Sequence, residues 1–173
     1  ILSSCSSRQL EEVTFRRTVI PVQELLDTAG KYFKKSMKNR SERIELEIEP
    51  MEAKVIGDVN QLRFLLENLI DEALTVREDG VIRLQARQDN EYIRFLFTDT
   101  RREKSVEELN QLFYPNLARM TSGEKGELRG TEYLVCKQII RDHDEFAGRR
   151  GCRINAEPAE GGGFTVYFTI PRR

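Results

Sequence analysis

The chain has 173 residues, 33% of them charged and 39% hydrophobic, with a formal net charge of −1. That balance suits one soluble globular domain with a sizeable core, and it calls for neither nucleic acid nor an anionic membrane as partner. No apolar run approaches the ~20 residues needed to span a bilayer. Cys5, Cys136 and Cys152 stand at spacings unlike a metal site, which predicts reduced thiols in a cytosolic setting.

Residues 1–20 mix Ser, Arg and Glu with scattered apolar positions and read as the end of an upstream helix or a linker, with residues 21–173 as the domain proper. Ile1 stands first, without a Met or a signal peptide, so the expectation is a piece of something longer. Pro21 sits where a helix starts, and Val22, Leu25, Leu26, Ala29, Tyr32 and Phe33 recur at helical spacing. Lys31, Lys34, Lys35, Lys38 and Arg40 crowd its later turns, where cations complement the helix dipole.

Arg43–Glu49 alternates as a half-buried strand does and is ended by Pro50; Lys54–Gly57 reads as a second short strand. Asp58 then caps a long helix whose apolar stripe is Val59, Leu62, Leu65, Leu66, Leu69, Ile70 and Ala73. Val81–Arg87 and Tyr92–Phe97 form a hairpin about Asp89-Asn90. Ser105, followed by Glu107 and Glu108, opens a short helix. Residues 121–130 read as a mobile polar loop, and a helix follows to about Phe146. Gly151–Pro171 reads as two strands joined by the glycine turn 161–163. Helices would layer one face of a mixed sheet, an α+β sandwich.

Phe95–Lys104 runs as an apolar strand into an Asp99-Thr100 corner and then a loop. Together with Asn68 on the long helix and the closing strand pair, it resembles the ATP-binding catalytic domain of sensor histidine kinases, over roughly residues 20–171. The resemblance implies a two-layer α/β sandwich of Bergerat (GHKL) type, with ATP and Mg²⁺ as ligands. It also implies upstream dimerisation helices and a response-regulator receiver domain as partners, in the cytoplasmic part of a longer sensor that a membrane segment can anchor.

On that resemblance Asn68 and Glu72 take the two polar helix positions of which the later, usually Asn, chelates Mg²⁺; Glu72 is therefore the metal candidate. Asn68, Asp71, Glu72 and Thr75 share one helical face and can line a cavity wall, or be the wet face of an amphipathic helix. Asp99 matches the acceptor for the adenine amino group, and Thr100 and Thr165 match polar positions that support the base. An Asp at a strand end is also what a turn requires. Gly130 matches the surviving glycine of the second glycine motif.

The glycines that normally follow Asp-Thr are replaced by Arg101 and Glu103, and another by Glu132 at a helix start. Side chains at these places obstruct close backbone approach, and Glu132 takes up the potential that would attract phosphate. Two like charges ~4 Å apart at an effective dielectric near 20 repel by roughly 4 kcal/mol. Arg101, Arg102, Lys125 and Arg129 are the cations expected to offset that repulsion. The loop 121–130 matches the family's ATP lid and Phe113–Asn116 its aromatic box.

No phosphoacceptor and no catalytic residue are nominated, and His143 reads as structural. Three functions stay open: a degenerate, pseudokinase-like regulatory domain; an active kinase domain that holds phosphates with Arg and Lys side chains; and a purely structural interaction module.

Overall fold

A computed structural model describes residues 15–114 and 131–173. The lid-like loop, Gly130, Lys125, Arg129 and Cys5 lie outside the described residues.

The described chain opens on β1 (Thr18–Pro21), which pairs antiparallel with β3 (Lys54–Gly57) as a small two-stranded sheet. All of this strand but Pro21 lies in the stretch read as a linker, and its Ile20 is part of the core. Pro21 is the N-cap of α1 (Val22–Met37), its fixed φ of −62° leading directly into the helix. The apolar stripe of α1 buries Val22, Leu25, Leu26, Ala29 and Phe33. The long helix α2 (Val59–Ala73) starts at Asp58, whose side chain accepts from the backbone N–H groups of Asn60 and Gln61. Such a cap satisfies donors that the first turn leaves unpaired.

Five strands form the main sheet in the order β2 (Ile44–Ile48), β4 (Gly80–Asp89), β5 (Tyr92–Asp99), β7 (Phe164–Pro171) and β6 (Ile154–Pro158). Only β2 and β4 run parallel; the other neighbours are antiparallel, so the sheet is mixed. Alternation sends Ile82, Leu84, Ala86, Ile93, Phe95, Phe97, Val166, Phe168 and Ile170 into the core. Phe95 and Phe168, cross-strand partners, stack with ring centroids 4.8 Å apart. The opposite face is charged and wet: Arg83 pairs with Glu47, Arg87 with Glu49 and Arg94 with Asp89. Exposed pairs of this kind contribute at most about 1 kcal/mol each, so they set which face meets water rather than how tightly the domain folds. The helices α1, α2, α3 (Val106–Gln111) and α4 (Thr131–Phe146) complete an α+β sandwich with one core.

His143 holds the junction of α2 and α4. It is fully buried, its Nε2 accepts from the Asp58 backbone N–H at 3.1 Å, and its Nδ1 lies 2.8 Å from the Ile139 carbonyl. That pair of contacts requires a neutral ring protonated on Nδ1. Phe15 packs edge-on against it, with centroids 4.9 Å apart. Burial pushes the imidazole below its ordinary value of 6.5, against the opposing pull of the Ile139 carbonyl, Asp58 and Asp142. The unfolded chain therefore takes up this proton at a higher pH than the folded one. Stability is expected to fall as pH drops from about 6.5 towards the depressed value, by up to about 1.4 kcal/mol per pH unit. The carboxylates held low by backbone or arginine partners, such as Glu42 and Glu49, respond only below about 4.5. Thermal melts between about pH 7 and pH 5 should show this slope in the wild type and not in His143→Gln.

Candidate functional site

The C-terminal end of β5 carries the residues that the resemblance singles out. Thr98 and Asp99 are consecutive in a strand, so their side chains leave on opposite faces of the sheet. Asp99 points to the helix side and is buried, opposite Phe164 of β7. Thr98 points the other way and meets Thr165, hydroxyl to hydroxyl at 2.7 Å. Thr165 is therefore not brought to Asp99; the β7 position on that side is Phe164. Thr100 also turns away, its hydroxyl donating to the Val81 carbonyl at 2.6 Å.

What does lie against Asp99 is the Arg101 side chain. Its Nε donates to Asp99 Oδ1 at 2.9 Å and its Nη2 to Oδ2 at 2.8 Å, a bidentate pair. The Arg101 backbone N–H adds a third bond to Oδ1 at 3.0 Å. The side chains of the pair are 1% and 6% exposed. The remaining guanidinium hydrogens go to carbonyls: Nη1 to Val76 and Glu78, both at 2.9 Å, and Nη2 to Ala73 at 2.6 Å. A guanidinium has five N–H donors, and each has an acceptor here. Ala73 ends α2, so the cation also sits where the helix dipole favours positive charge.

Gly80 makes the path of this side chain possible. A Cβ at Gly80 would lie 2.5 Å from Arg101 Cγ, and its φ of +147° is one that glycine tolerates. The expectation that Arg101 offsets repulsion near a phosphate is thereby corrected: its charge is turned into the protein and paired. Arg102 is exposed and pairs with Glu78 at 2.6 Å. Glu103 is exposed, close to the glycine turn at Gly162.

On α2, Asn68 is 8% exposed and its side-chain amide donates back to the Phe64 carbonyl of its own helix at 2.7 Å. Glu72 lies one turn further along. It and Glu132, in the first turn of α4, both bear on the buried Cys136 thiol, which burial first, then Glu132 and Glu72, push well above its ordinary range. Among the described residues no group of three His, Cys, Asp or Glu side chains converges as a metal site. Lys137 is held by the end of α3: its ammonium donates to the Phe113 carbonyl at 3.2 Å and stands 4.2 Å from the Tyr114 ring centroid. The cysteines Cys136 and Cys152 are free thiols, Cys152 raised to about 12 by burial.

The residue that sequence reasoning missed in its role is Arg101. Its signal was present, a cation two residues after a strand-end Asp. The three carbonyls that enclose it come from residues 73–78, a neighbourhood made only by the tertiary fold.

The profile of the family described as "Histidine kinase-, DNA gyrase B-, and HSP90-like ATPase" matches residues 57–173. No curated protein matches the chain. Similar solved structures include the Mycobacterial sensor histidine kinase MprB, at 20% identity over 91% of this chain and 99% of that one, with a TM-score of 0.69. Full-length ShkA in complex with AMPPNP is 15% identical over 90% of this chain and 31% of that one, with a TM-score of 0.70. Histidine kinase ThkA in complex with response regulator protein TrrA is 19% identical over 99% of this chain and 47% of that one, with a TM-score of 0.67. At these identities the likeness is one of fold.

Proposed function

The chain belongs to the histidine kinase-, DNA gyrase B- and HSP90-like ATPase family, and from that premise we propose that it is the kinase-like domain of a two-component sensor with a degenerate nucleotide site. Its role is regulatory and pseudokinase-like, exerted through its surface rather than by phosphoryl transfer.

The observation that carries this reading is the state of Asp99. The carboxylate that would accept the adenine amine receives three hydrogen bonds from Arg101, and the space beside it holds the arginine stem and guanidinium. As they stand, these residues do not fit adenine. Glu132 stands in the first turn of α4, where it takes up the helix N-terminal potential that would otherwise favour a phosphate.

ThkA is solved with a response regulator, and that supports a receiver domain as one partner here; upstream dimerisation helices are the second partner, on the family resemblance alone. No described helix is long and apolar enough to cross a membrane, and we place the domain on the cytoplasmic side of its sensor.

Calorimetric titration with a Mg²⁺–ATP analogue tests the reading. The wild-type domain should show no saturable binding at about 1 mM, a free energy of roughly −4 kcal/mol. Sub-millimolar, Mg²⁺-dependent binding would return the domain to the active kinases.

A further inference from the structure

We infer that the outer edge of β2 is a docking site for an extended segment of a partner protein, one that alternates apolar and basic residues and joins the main sheet as a further strand. This surface goes beyond the regulatory reading and stands whether or not a nucleotide binds.

β2 ends the main sheet, paired with β4 on one side, and among the described residues no strand pairs with its other side. Two backbone bonds give its phase. The Gly80 N–H donates to the Arg43 carbonyl at 3.0 Å, and the Glu49 N–H to the Leu84 carbonyl at 3.2 Å. In a parallel pair the N–H and C=O of one residue point to the same side, and those of the next residue point away. Arg43, Glu45, Glu47 and Glu49 therefore turn their backbone groups to β4, while those of Ile44, Leu46 and Ile48 face outward. Beside this edge a groove of about 600 Å³ runs between β2 and α1, its apolar lining made by Phe33, Leu46 and Ile48. Gly30 lets α1 lie close over it, since a Cβ there would come 3.1 Å from Ile48 Cδ1. Asp27, Lys31 and Lys34 form a rim of mixed sign that favours neither charge.

An added strand takes its affinity from main-chain bonds and its specificity from alternate side chains. One set enters the groove and must be apolar; the other lies on the wet face beside the glutamates of β2. There Glu47 and Glu49 already pair with Arg83 and Arg87 of β4, whereas the exposed Glu45 lies opposite Val81. Lysines or arginines on the far side of this acidic row meet opposite charge. The same row repels a second copy of the chain. At full overlap, two antiparallel β2 edges pair Leu46 with Leu46 and set Glu45 of each against Glu47 of the other. Like charges at that spacing guard an edge against its own kind. The strand that fits is a foreign, basic one.

The test titrates a capped peptide of alternating valine and lysine, long enough to span Ile44 to Ile48, into the isotope-labelled chain and follows amide exchange by NMR. In the free protein the Ile44, Leu46 and Ile48 amides should exchange faster than those of Glu45, Glu47 and Glu49. The peptide should slow the first set, and bind about tenfold or more tighter than one with glutamate in place of lysine. Glu45→Lys, a change at an exposed position, should lower that preference by about threefold or more. Equal binding by a peptide with the same lysines and valines in blocks would overturn the proposal. So would binding that leaves the Ile44, Leu46 and Ile48 amides fast, the absence of a preference over glutamate, or no binding at about 1 mM. Self-association of the free chain that protects these amides would give the edge to a second copy, and would overturn it too. None of these outcomes bears on the titration with the Mg²⁺–ATP analogue, so the two readings fail separately.

Discussion

Asp99→Asn is expected to destabilise the domain by about 3–5 kcal/mol, because it strips the counter-charge from a guanidinium buried in the fold. The asparagine oxygen can still accept the two Arg101 hydrogen bonds made to Oδ1, but the third loses its acceptor and the bidentate charge pairing is gone. Arg101 cannot turn to water without abandoning the carbonyls of Ala73, Val76 and Glu78. Urea denaturation of the wild type, Asp99→Asn, Arg101→Met and the double variant measures the effect. The double variant should be less destabilised than the sum of the singles, with a coupling of about 0.5–3 kcal/mol. A single-variant loss below about 1 kcal/mol would place the pair at a solvated surface instead. One consequence is practical: in this chain, loss of ligand binding in Asp99→Asn does not by itself report base recognition, because the same change loosens the site's frame.

Gly163→Ala should be the second large effect. Gly163 has φ of +84°, and a Cβ there would fall well inside contact distance of the Asp99 carbonyl and 2.8 Å from Thr100 Cα. The turn before β7 therefore lies directly on the backbone of the Asp99-Thr100 corner. Alanine adds about 1–2 kcal/mol of left-handed strain and about 1–3 kcal/mol of overpacking against backbone that cannot move aside. Gly161 is the internal control, since its φ is +88° but a Cβ would meet nothing within 4 Å. Gly161→Ala should show only the conformational part, about 1–2 kcal/mol. Equal losses in the two variants by urea denaturation would mean that the turn does not press on the corner.

Much of the fold was legible because its periods are clean. The alternation in β2, β4 and β5 and the stripe on α2 each admit one way of burying their apolar residues. β1 escaped because four residues with one buried position carry no period, and its strand character comes from pairing with β3. The Asp58 cap and the Ser105–Glu108 capping box were readable because their partners are two or three residues away.

The site was legible only in part, for reasons of the same kind. Asp99 sits on the helix side as its place in the alternation requires, but Thr165 lies one residue out of phase with it, and a one-residue offset in a strand changes the face. Counting back from Phe168 and Val166 identifies Phe164 as the residue on Asp99's side. Arg101 could be recognised as an intruder at a glycine position, but not as an occupant. Its carbonyl acceptors lie 23–28 residues earlier in the chain, and no local pattern links them to it.

The most direct test of the account is an NMR titration that watches the arginine Nε–H signals of the isotope-labelled wild-type domain, with Arg101→Lys to assign the one of interest. The account predicts a slowly exchanging Arg101 Nε–H resonance, protected by burial against Asp99 and unmoved by a Mg²⁺–ATP analogue at about 1 mM. An Arg101 signal that exchanges as fast as those of exposed arginines, or that shifts saturably at sub-millimolar analogue, would contradict it.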